Sequence, residues 1–207
     1  MTKKLKLTPE DAQKLKEHLS GISELSEQYG VNFIHNYKWR EVLQGNDLEI
    51  ILNTGIDTDN KTTGEDFQTS TYRNGELKSC KGKSSKSSSL LLKSSVGFEF
   101  DKQNDEAKVK QTSKYDCLLF SIFDGNTPEI VANILIHSKK GIADFNKLVL
   151  DKQEKFKTML ESCKKAGKRI PRDSIKFVYE DILEMPHCEF YIGSEEITLI
   201  QFKKMFH

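Results

Sequence analysis

The chain has 207 residues, 36% of them hydrophobic, which is enough for one compact domain with a core and too little for two full domains. Its 32 basic and 31 acidic residues nearly cancel, so overall charge favours neither nucleic acid, nor a membrane surface, nor acidic substrates. We expect a single domain over 1–207, with an N-terminal helix within 1–30 and a C-terminal extension of uncertain role over 175–207.

The cysteines and the apolar segments indicate the cellular setting. The four cysteines are widely spaced and form no CxxC pair, and no secretory signal peptide is recognisable at the lysine-rich start. This pattern is typical of reduced thiols in an intracellular, cytoplasmic protein. The apolar runs at 89–92, 115–123 and 130–136 fall well short of the ~20 residues needed to cross a bilayer, so we expect no membrane contact.

The first quarter of the chain is predicted to be mainly helical. Thr8 can cap a helix and Pro9 suits its first position, and apolar residues at helical spacing extend the helix to about Gln28. A second helix is predicted over 34–44, ending at Gly45-Asn46. A buried strand over 48–52 and a polar loop over 53–64 follow.

The remainder alternates between strand and helix patterns. We predict a half-buried strand at 96–100, then a hairpin of two strands at 116–122 and 129–136 with turn residues 124–126 between them. Asp151 can cap an amphipathic helix that ends near Gly167, and 175–206 is read as a short helix with one or two strands. The order of elements predicts an α/β (α+β) fold whose central mixed β-sheet is flanked by helices.

The segment Glu76-Leu77-Lys78 carries the most specific chemical signal. Residues two apart on a strand project to the same face, so Glu76 and Lys78 should point together while Leu77 turns into the core. A second carboxylate from a neighbouring segment would complete a magnesium site, and Asp66 is the candidate. In such a site the metal polarises a phosphate and activates water, while the lysine orients that water and stabilises developing charge.

The Glu-x-Lys tripeptide is weak evidence by itself, because these residues commonly flank an apolar one on any solvated strand. Its context is more specific: Gly64-Glu65-Asp66-Phe67 precedes it by a short loop, and Lys38-Trp39-Arg40-Glu41 lies upstream. With these segments the chain resembles the PD-(D/E)xK nuclease superfamily over about residues 37–92, and within it the type II restriction endonucleases. The segment 76–79 followed by 88–91 is also similar to the mismatch-repair nuclease branch.

The resemblance implies a restriction-endonuclease-like fold and a set of roles. Asp66 and Glu76 would bind Mg²⁺, or Mn²⁺ in its place, with the Leu77 carbonyl as a further ligand. Lys78 would serve the attacking water, and Glu41 would hold water on the metal or steady Lys78. The products would carry 5′-phosphates. No proline precedes Asp66, which departs from the family pattern.

One local signal opposes this arrangement. Asn74-Gly75 is the strongest two-residue hairpin signal in the chain and lies immediately before Glu76. A tight turn there would leave Asp66 roughly 23 Å from Glu76 at strand rise, too far to share a metal. The catalytic interpretation therefore requires residues 70–75 to form a wider loop that lets 66–68 lie beside 76–78.

A basic tract follows the proposed catalytic strand. Between Lys78 and Lys114 there are nine lysines and four acidic residues, so this segment can neutralise phosphates. We expect Lys81, Lys83 and Lys86 to follow the DNA backbone beside the scissile phosphate; the alternative is a solvated lysine-serine loop. Further along, Arg169 and Arg172 can read guanine edges or can simply be solvated.

Taken together, these patterns predict a sequence-specific endonuclease that hydrolyses double-stranded DNA with Mg²⁺. A chain of this size is expected to act as a homodimer with one half-site per subunit, although a monomer that nicks strands in turn is also consistent with it. One alternative is a repair or recombination nuclease with the same site. The other is a non-catalytic DNA-binding or interaction protein in which Glu76 and Lys78 are an ordinary surface pair.

Overall fold

The computed structural model describes residues 8–29, 38–57, 65–82, 97–101, 110–124, 127, 129–170 and 172–206. Its helices are α1 (Pro9–Tyr29), α2 (Lys38–Leu52), α3 (Lys139–Lys165), α4 (Tyr179–Leu183) and α5 (Leu199–Lys204). Its strands are β1 (Gly75–Lys81), β2 (Phe98–Asp101), β3 (Cys117–Phe123), β4 (Ile130–Ile136), β5 (Ser174–Phe177), β6 (Glu189–Ile192) and β7 (Glu195–Ile197).

Five strands form the main sheet in the order β1-β3-β4-β6-β7. The strands β1 and β3 are parallel, whereas the pairs β3/β4, β4/β6 and β6/β7 are antiparallel. The strands β2 and β5 form a separate antiparallel pair. The predicted α/β architecture with a central mixed sheet flanked by helices is therefore confirmed.

The predicted hairpin of two central strands is also confirmed. In β3 every residue is buried, and Leu118 pairs with Ile136 while Phe120 pairs with Ile134 across to β4. Burial on both sides explains why β3 reads as a continuous apolar run. The turn residues Gly125 and Asn126 lie outside the described residues.

The sheet separates two apolar cores. On one face α2 covers Phe67, Leu77 and Leu119. On the other face α3, α5 and the β2/β5 pair cover Phe120, whose ring stacks on Phe98 with centroids 4.7 Å apart. Alternate residues of β1 face opposite cores, which decides the surroundings of each side chain in the predicted motif.

The N-terminal helix α1 begins as the sequence predicts. The Thr8 hydroxyl accepts a hydrogen bond from the Asp11 amide at 3.1 Å, as expected of a capping side chain. The helix extends one residue beyond the predicted end at Gln28.

The predicted break at Gly45-Asn46 and the predicted strand over 48–52 are wrong, because α2 continues from Lys38 to Leu52. Leu43 and Leu48 are buried, and Gln44 and Asp47 turn toward the sheet, so packing stabilises one long helix. A helical glycine costs only about 1 kcal/mol relative to alanine, which such packing offsets. The start of the predicted helix, 34–37, lies outside the described residues.

The predicted start of the amphipathic helix at Asp151 is also wrong. The helix α3 begins at Lys139, where the Ser138 hydroxyl caps it by accepting from the Gly141 amide, and Asp151 lies in its middle. Phe145 and Val149 belong to its buried face. The predicted end is confirmed, since Gly167 adopts a positive φ of 61° directly after the helix terminus.

The closing segment is more regular than its sequence predicts, with three strands and two short helices. The strand β6 joins the main sheet beside β4, and Phe177, Phe190 and Phe202 lie in the core. Within the described residues, none of the helices combines the length and apolar character needed to cross a membrane.

Candidate active site

The predicted alternation along β1 is confirmed. Leu77 is buried in the core beneath α2, whereas Glu76 and Lys78 project to the opposite face and form an ion pair. The Lys78 ammonium also lies 5.0 Å from the centroid of the Phe100 ring. This face is not a solvated surface, because the Glu76 side chain is only 6% exposed.

Asp66 lies directly beside the same strand. Its Oδ2 accepts a hydrogen bond from the Leu77 amide at 3.0 Å, and its own amide donates to the Gly75 carbonyl at 2.8 Å. At the outer edge of β1, the Asp66 carboxylate thus accepts the backbone hydrogen bond that a neighbouring strand would otherwise accept. The charge of Asp66 is also close enough to Glu76 to raise the pKa of that carboxyl group, so the two carboxylates that the metal hypothesis requires lie in the same region.

The tight Asn74-Gly75 hairpin does not form. Phe67 bridges to Gly75, so residues 68–74 make the wider connection that the catalytic interpretation needs. Gly75 is not among the residues with positive φ, which excludes the two-residue type I′ turn. The glycine is required for a different reason, because a Cβ at position 75 would lie 2.4 Å from the Phe67 ring.

The carboxylate of Glu76 is incompletely compensated. Lys78 holds Oε1, whereas Oε2 is buried and accepts no hydrogen bond from any described residue. Burial raises the pKa of Glu76 above its usual value, attraction from Lys78 opposes this shift, and repulsion from Asp66 adds to it. Glu76 is thus held at a site that favours an additional cation or a proton.

Tyr115 completes the surroundings of Glu76. This tyrosine is buried just before β3, and its hydroxyl group interacts with the Glu76 carboxylate. The pKa of Tyr115 is raised by burial first, and then by the negative charges of Glu76, Asp66 and Glu65. Tyr115 was not predicted, because it reaches Glu76 through the parallel pairing of β3 with β1, a long-range contact that no local sequence pattern indicates.

The residues at this edge fit a divalent ion in part. The N–H and C=O of one strand residue point to the same edge, so the Leu77 carbonyl lies on the side where Asp66 meets the Leu77 amide. Oxygen donors of this kind suit Mg²⁺, and the unpaired Oε2 of Glu76 could serve as a third ligand. Among the described residues, no group of three or more Asp, Glu, His or Cys side chains is arranged around one metal position.

Helix α2 contacts β1, although not through the residue that was predicted. Gln44 donates a hydrogen bond from its side-chain amide to the Lys78 carbonyl at 2.8 Å. Glu41 lies one turn earlier with an exposed side chain, and no hydrogen bond or ion pair joins it to Asp66, Glu76 or Lys78. The structure therefore brings three of the four proposed catalytic side chains together and leaves Glu41 apart.

Of the three lysines proposed to contact DNA, only Lys81 lies within the described residues. Lys81 is exposed at the end of β1, and its pKa is lowered first by the partial loss of water around its ammonium group and then by repulsion from Arg40. Lys83 and Lys86 lie outside the described residues. Lys81 is three residues from Lys78, about 10 Å away at strand rise.

Arg172 is engaged within the protein. Its guanidinium contacts Glu99 at 2.8 Å and Asp101 at 3.1 Å, and Lys176 also contacts Glu99 at 3.2 Å. These contacts connect the loop before β5 to its partner strand β2. The carboxylates therefore account for Arg172 without a nucleic acid.

Comparison of the chain with protein-family models and with curated protein sequences found no match.

Proposed function

We propose that the protein is a Mg²⁺-dependent DNA endonuclease whose active site comprises Asp66, Glu76 and Lys78. The observation that carries the proposal is the buried, unpaired Oε2 of Glu76 beside a second carboxylate and an ammonium group. Burying an ionised carboxylate is costly unless cations or donors compensate it. A site that is incomplete without a cation is a candidate for cation binding.

The proposed roles follow from where the side chains lie. Asp66, Glu76 and the Leu77 carbonyl would hold Mg²⁺, which would supply charge neutralisation at the phosphate and a lowered pKa for water. Lys78 would donate to the attacking water and to the phosphate oxygens as negative charge develops. Gln44 holds the Lys78 carbonyl by a hydrogen bond, and the Tyr115 hydroxyl lies near the Glu76 carboxylate.

The reaction consumes one water molecule for each bond. The water oxygen joins phosphorus, the bond from phosphorus to the 3′ oxygen breaks, and that oxygen takes up a proton. The products are a 3′-hydroxyl and a 5′-phosphate. Lys78 supplies positive charge throughout and is not consumed.

Substrate and assembly belong to the same proposal. We propose double-stranded DNA as substrate, a restriction-endonuclease-like arrangement, and a homodimer in which each subunit cuts one strand. Lys81, Lys83 and Lys86 would follow the phosphate backbone. Glu41 is left out of the proposed site, because its exposed side chain lies apart from Asp66, Glu76 and Lys78. The free state of all four cysteines suits an intracellular, cytoplasmic location.

The test is cleavage of supercoiled plasmid with Mg²⁺, comparing the parent chain with Lys78→Ala. We expect the parent to cut and Lys78→Ala to cut roughly 10²–10³-fold more slowly, as for loss of one transition-state donor. Lys155→Ala is the matched control, because Lys155 also pairs with a carboxylate but is 74% exposed on α3. It should cut like the parent.

The proposal fails if the parent does not cut with Mg²⁺ or Mn²⁺, or if Lys78→Ala cuts as fast as the parent. Calorimetric titration with either ion separates the nuclease from a non-catalytic protein, since an ordinary ion pair would bind neither. Sequencing of the cut ends distinguishes a sequence-specific endonuclease from a repair nuclease, because only the former would produce discrete positions.

A further inference from the structure

Asp116 uses both of its carboxylate oxygens on the backbone of a distant segment. Oδ2 accepts from the Arg73 amide at 2.9 Å and Oδ1 accepts from the Asn74 amide at 3.0 Å. In return the Asp116 amide donates to the Asn74 carbonyl at 3.1 Å. Three hydrogen bonds thus join the start of β3 to the residues just before β1.

These contacts determine the path of the connection 68–74. A tight Asn-Gly turn would place the backbone of Asn74 in a hairpin, but Asp116 engages the amides of Arg73 and Asn74 instead. The next residue, Gly75, is then able to pair with Phe67. That pairing places Asp66 at hydrogen-bonding distance from the Leu77 amide.

A second tether holds the same connection from the other side. The Tyr72 hydroxyl lies 2.6 Å from Nδ1 of His137, which follows β4, and Nε2 of His137 lies 2.9 Å from Glu189 at the start of β6. Glu189 also accepts from the Tyr191 hydroxyl at 2.7 Å. Three consecutive residues, 72–74, are therefore anchored to strands of the main sheet.

We propose that Asp116 is a positioning residue that sets the metal affinity of the active site by holding Asp66 against β1. The part of this proposal that concerns the metal rests on the proposed function. The part that concerns the position of Asp66 rests only on the hydrogen bonds described above. Charged hydrogen bonds to backbone amides are among the stronger ones, so their loss should loosen the connection. Residues that orient a metal ligand typically change metal affinity by roughly 10–100-fold when mutated.

The first measurement is amide hydrogen exchange in metal-free protein, comparing the parent with Asp116→Ala. We expect the Leu77 amide to exchange at least about 10-fold faster in the variant, because its acceptor Asp66 is less well held. The Leu135 amide in the centre of the sheet should keep the parent rate. Asp151→Ala, which removes an exposed carboxylate on α3, is the matched control and should leave Leu77 unchanged.

The second measurement is the Mg²⁺ concentration that gives half-maximal cleavage. It should rise about 10-fold or more in Asp116→Ala, while the rate at saturating Mg²⁺ stays close to that of the parent. Asp116→Asn keeps one acceptor oxygen and should restore part of the affinity. Tyr72→Phe, which cuts the second tether, should shift the same concentration in the same direction.

The outcomes separate the two proposals. Unchanged exchange at Leu77 overturns the positioning role whatever the activity, and so does faster exchange with an unchanged Mg²⁺ dependence. A lower rate at saturating Mg²⁺ with unchanged half-saturation also overturns it. If the parent neither binds Mg²⁺ nor cuts DNA, the proposed function fails, the metal role of Asp116 fails with it, and the exchange data alone decide whether Asp116 positions Asp66.

Discussion

Two clusters of oppositely charged side chains in this protein differ in burial and in how completely their carboxylates are hydrogen-bonded. In the first, Lys78 pairs with Glu76, whose side chain is 6% exposed. In the second, Arg172 is 69% exposed and bridges Glu99 and Asp101 on the neighbouring strand. Both groups join residues on β-strands or beside them, yet only the first contains a buried carboxylate oxygen that has no hydrogen-bond partner within the described part of the chain.

The difference indicates which group is incompletely compensated within the described part of the chain. An exposed ion pair is screened by water and contributes about 0–1 kcal/mol. A buried carboxylate beside a second one is held at a free-energy cost, which the fold offsets elsewhere, and it is stabilised by a proton or a cation. The Arg172 group holds β2 against β5, whereas the described residues compensate the buried Glu76 carboxylate only in part.

The largest effect on stability is expected from Gly75→Ala, which breaks the arrangement around Glu76. The added Cβ would overlap the Phe67 ring at 2.4 Å, so Phe67 or β1 must move and carry Asp66 with it. We expect a loss of about 1–3 kcal/mol in the free energy of unfolding, measured by urea denaturation.

The matched control is Gly21→Ala in α1, where a Cβ would meet nothing within 4 Å. This substitution should stabilise the protein by up to about 1 kcal/mol, the helix preference of alanine over glycine. Equal effects of the two substitutions would show that the close approach of Phe67 to Gly75 does not hold the site together.

A smaller effect, dependent on pH, is expected from Glu76→Gln. Burial raises the pKa of Glu76 in the folded protein above its usual 4.5. The carboxyl group therefore stabilises the fold most below that pH, and its contribution is lost as the pH rises through the raised pKa. We therefore compare the free energies of unfolding of the parent and of Glu76→Gln in the absence of divalent ions. The parent's value minus the variant's value should decrease as the pH rises from 4 towards neutral.

Urea denaturation over a pH series measures this difference. A difference that rises with pH would mean that Lys78 outweighs burial and that Glu76 is a stabilised anion. The parallel substitution Glu99→Gln in the Arg172 group serves as the comparison, because Glu99 is shared between two cations at the surface.

The smallest effect is expected from Arg172→Ala. An exposed pair contributes at most about 1 kcal/mol, so the free energy of unfolding should change by no more than that. Plasmid cleavage should match the parent at moderate ionic strength. A large loss of cleavage without a loss of stability would show that Arg172 contacts DNA. That result would contradict a purely structural role for the Arg172 group.

Several features could be predicted from the sequence because the signals are local. Thr8 and Pro9 mark the start of α1 through hydrogen bonds within one turn. The alternation of Glu76, Leu77 and Lys78 follows from strand geometry alone. The apolar runs of β3 and β4 predict buried strands, and their two buried polar residues, Ser121 and Asn133, hydrogen-bond to each other across the pair.

The predictions that failed depended on tertiary contacts. Gly45 looked like a helix end, but the burial of Leu48 against Phe67 and Leu77 carries α2 past it. The cap of α3 is Ser138, thirteen residues before the predicted cap Asp151, because the first turns of the helix pack on the sheet.

By itself, the sequence determined that Glu76 and Lys78 share one face of a strand, since that requires only the period of a β-strand. Only the tertiary structure decided that Asp66 joins them. Asn74-Gly75 favours a tight turn locally, and that preference is overridden by the Phe67 ring against Gly75 and by the Asp116 carboxylate on two backbone amides. The partners lie eight and more than forty residues away, and no local pattern encodes contacts at such separations.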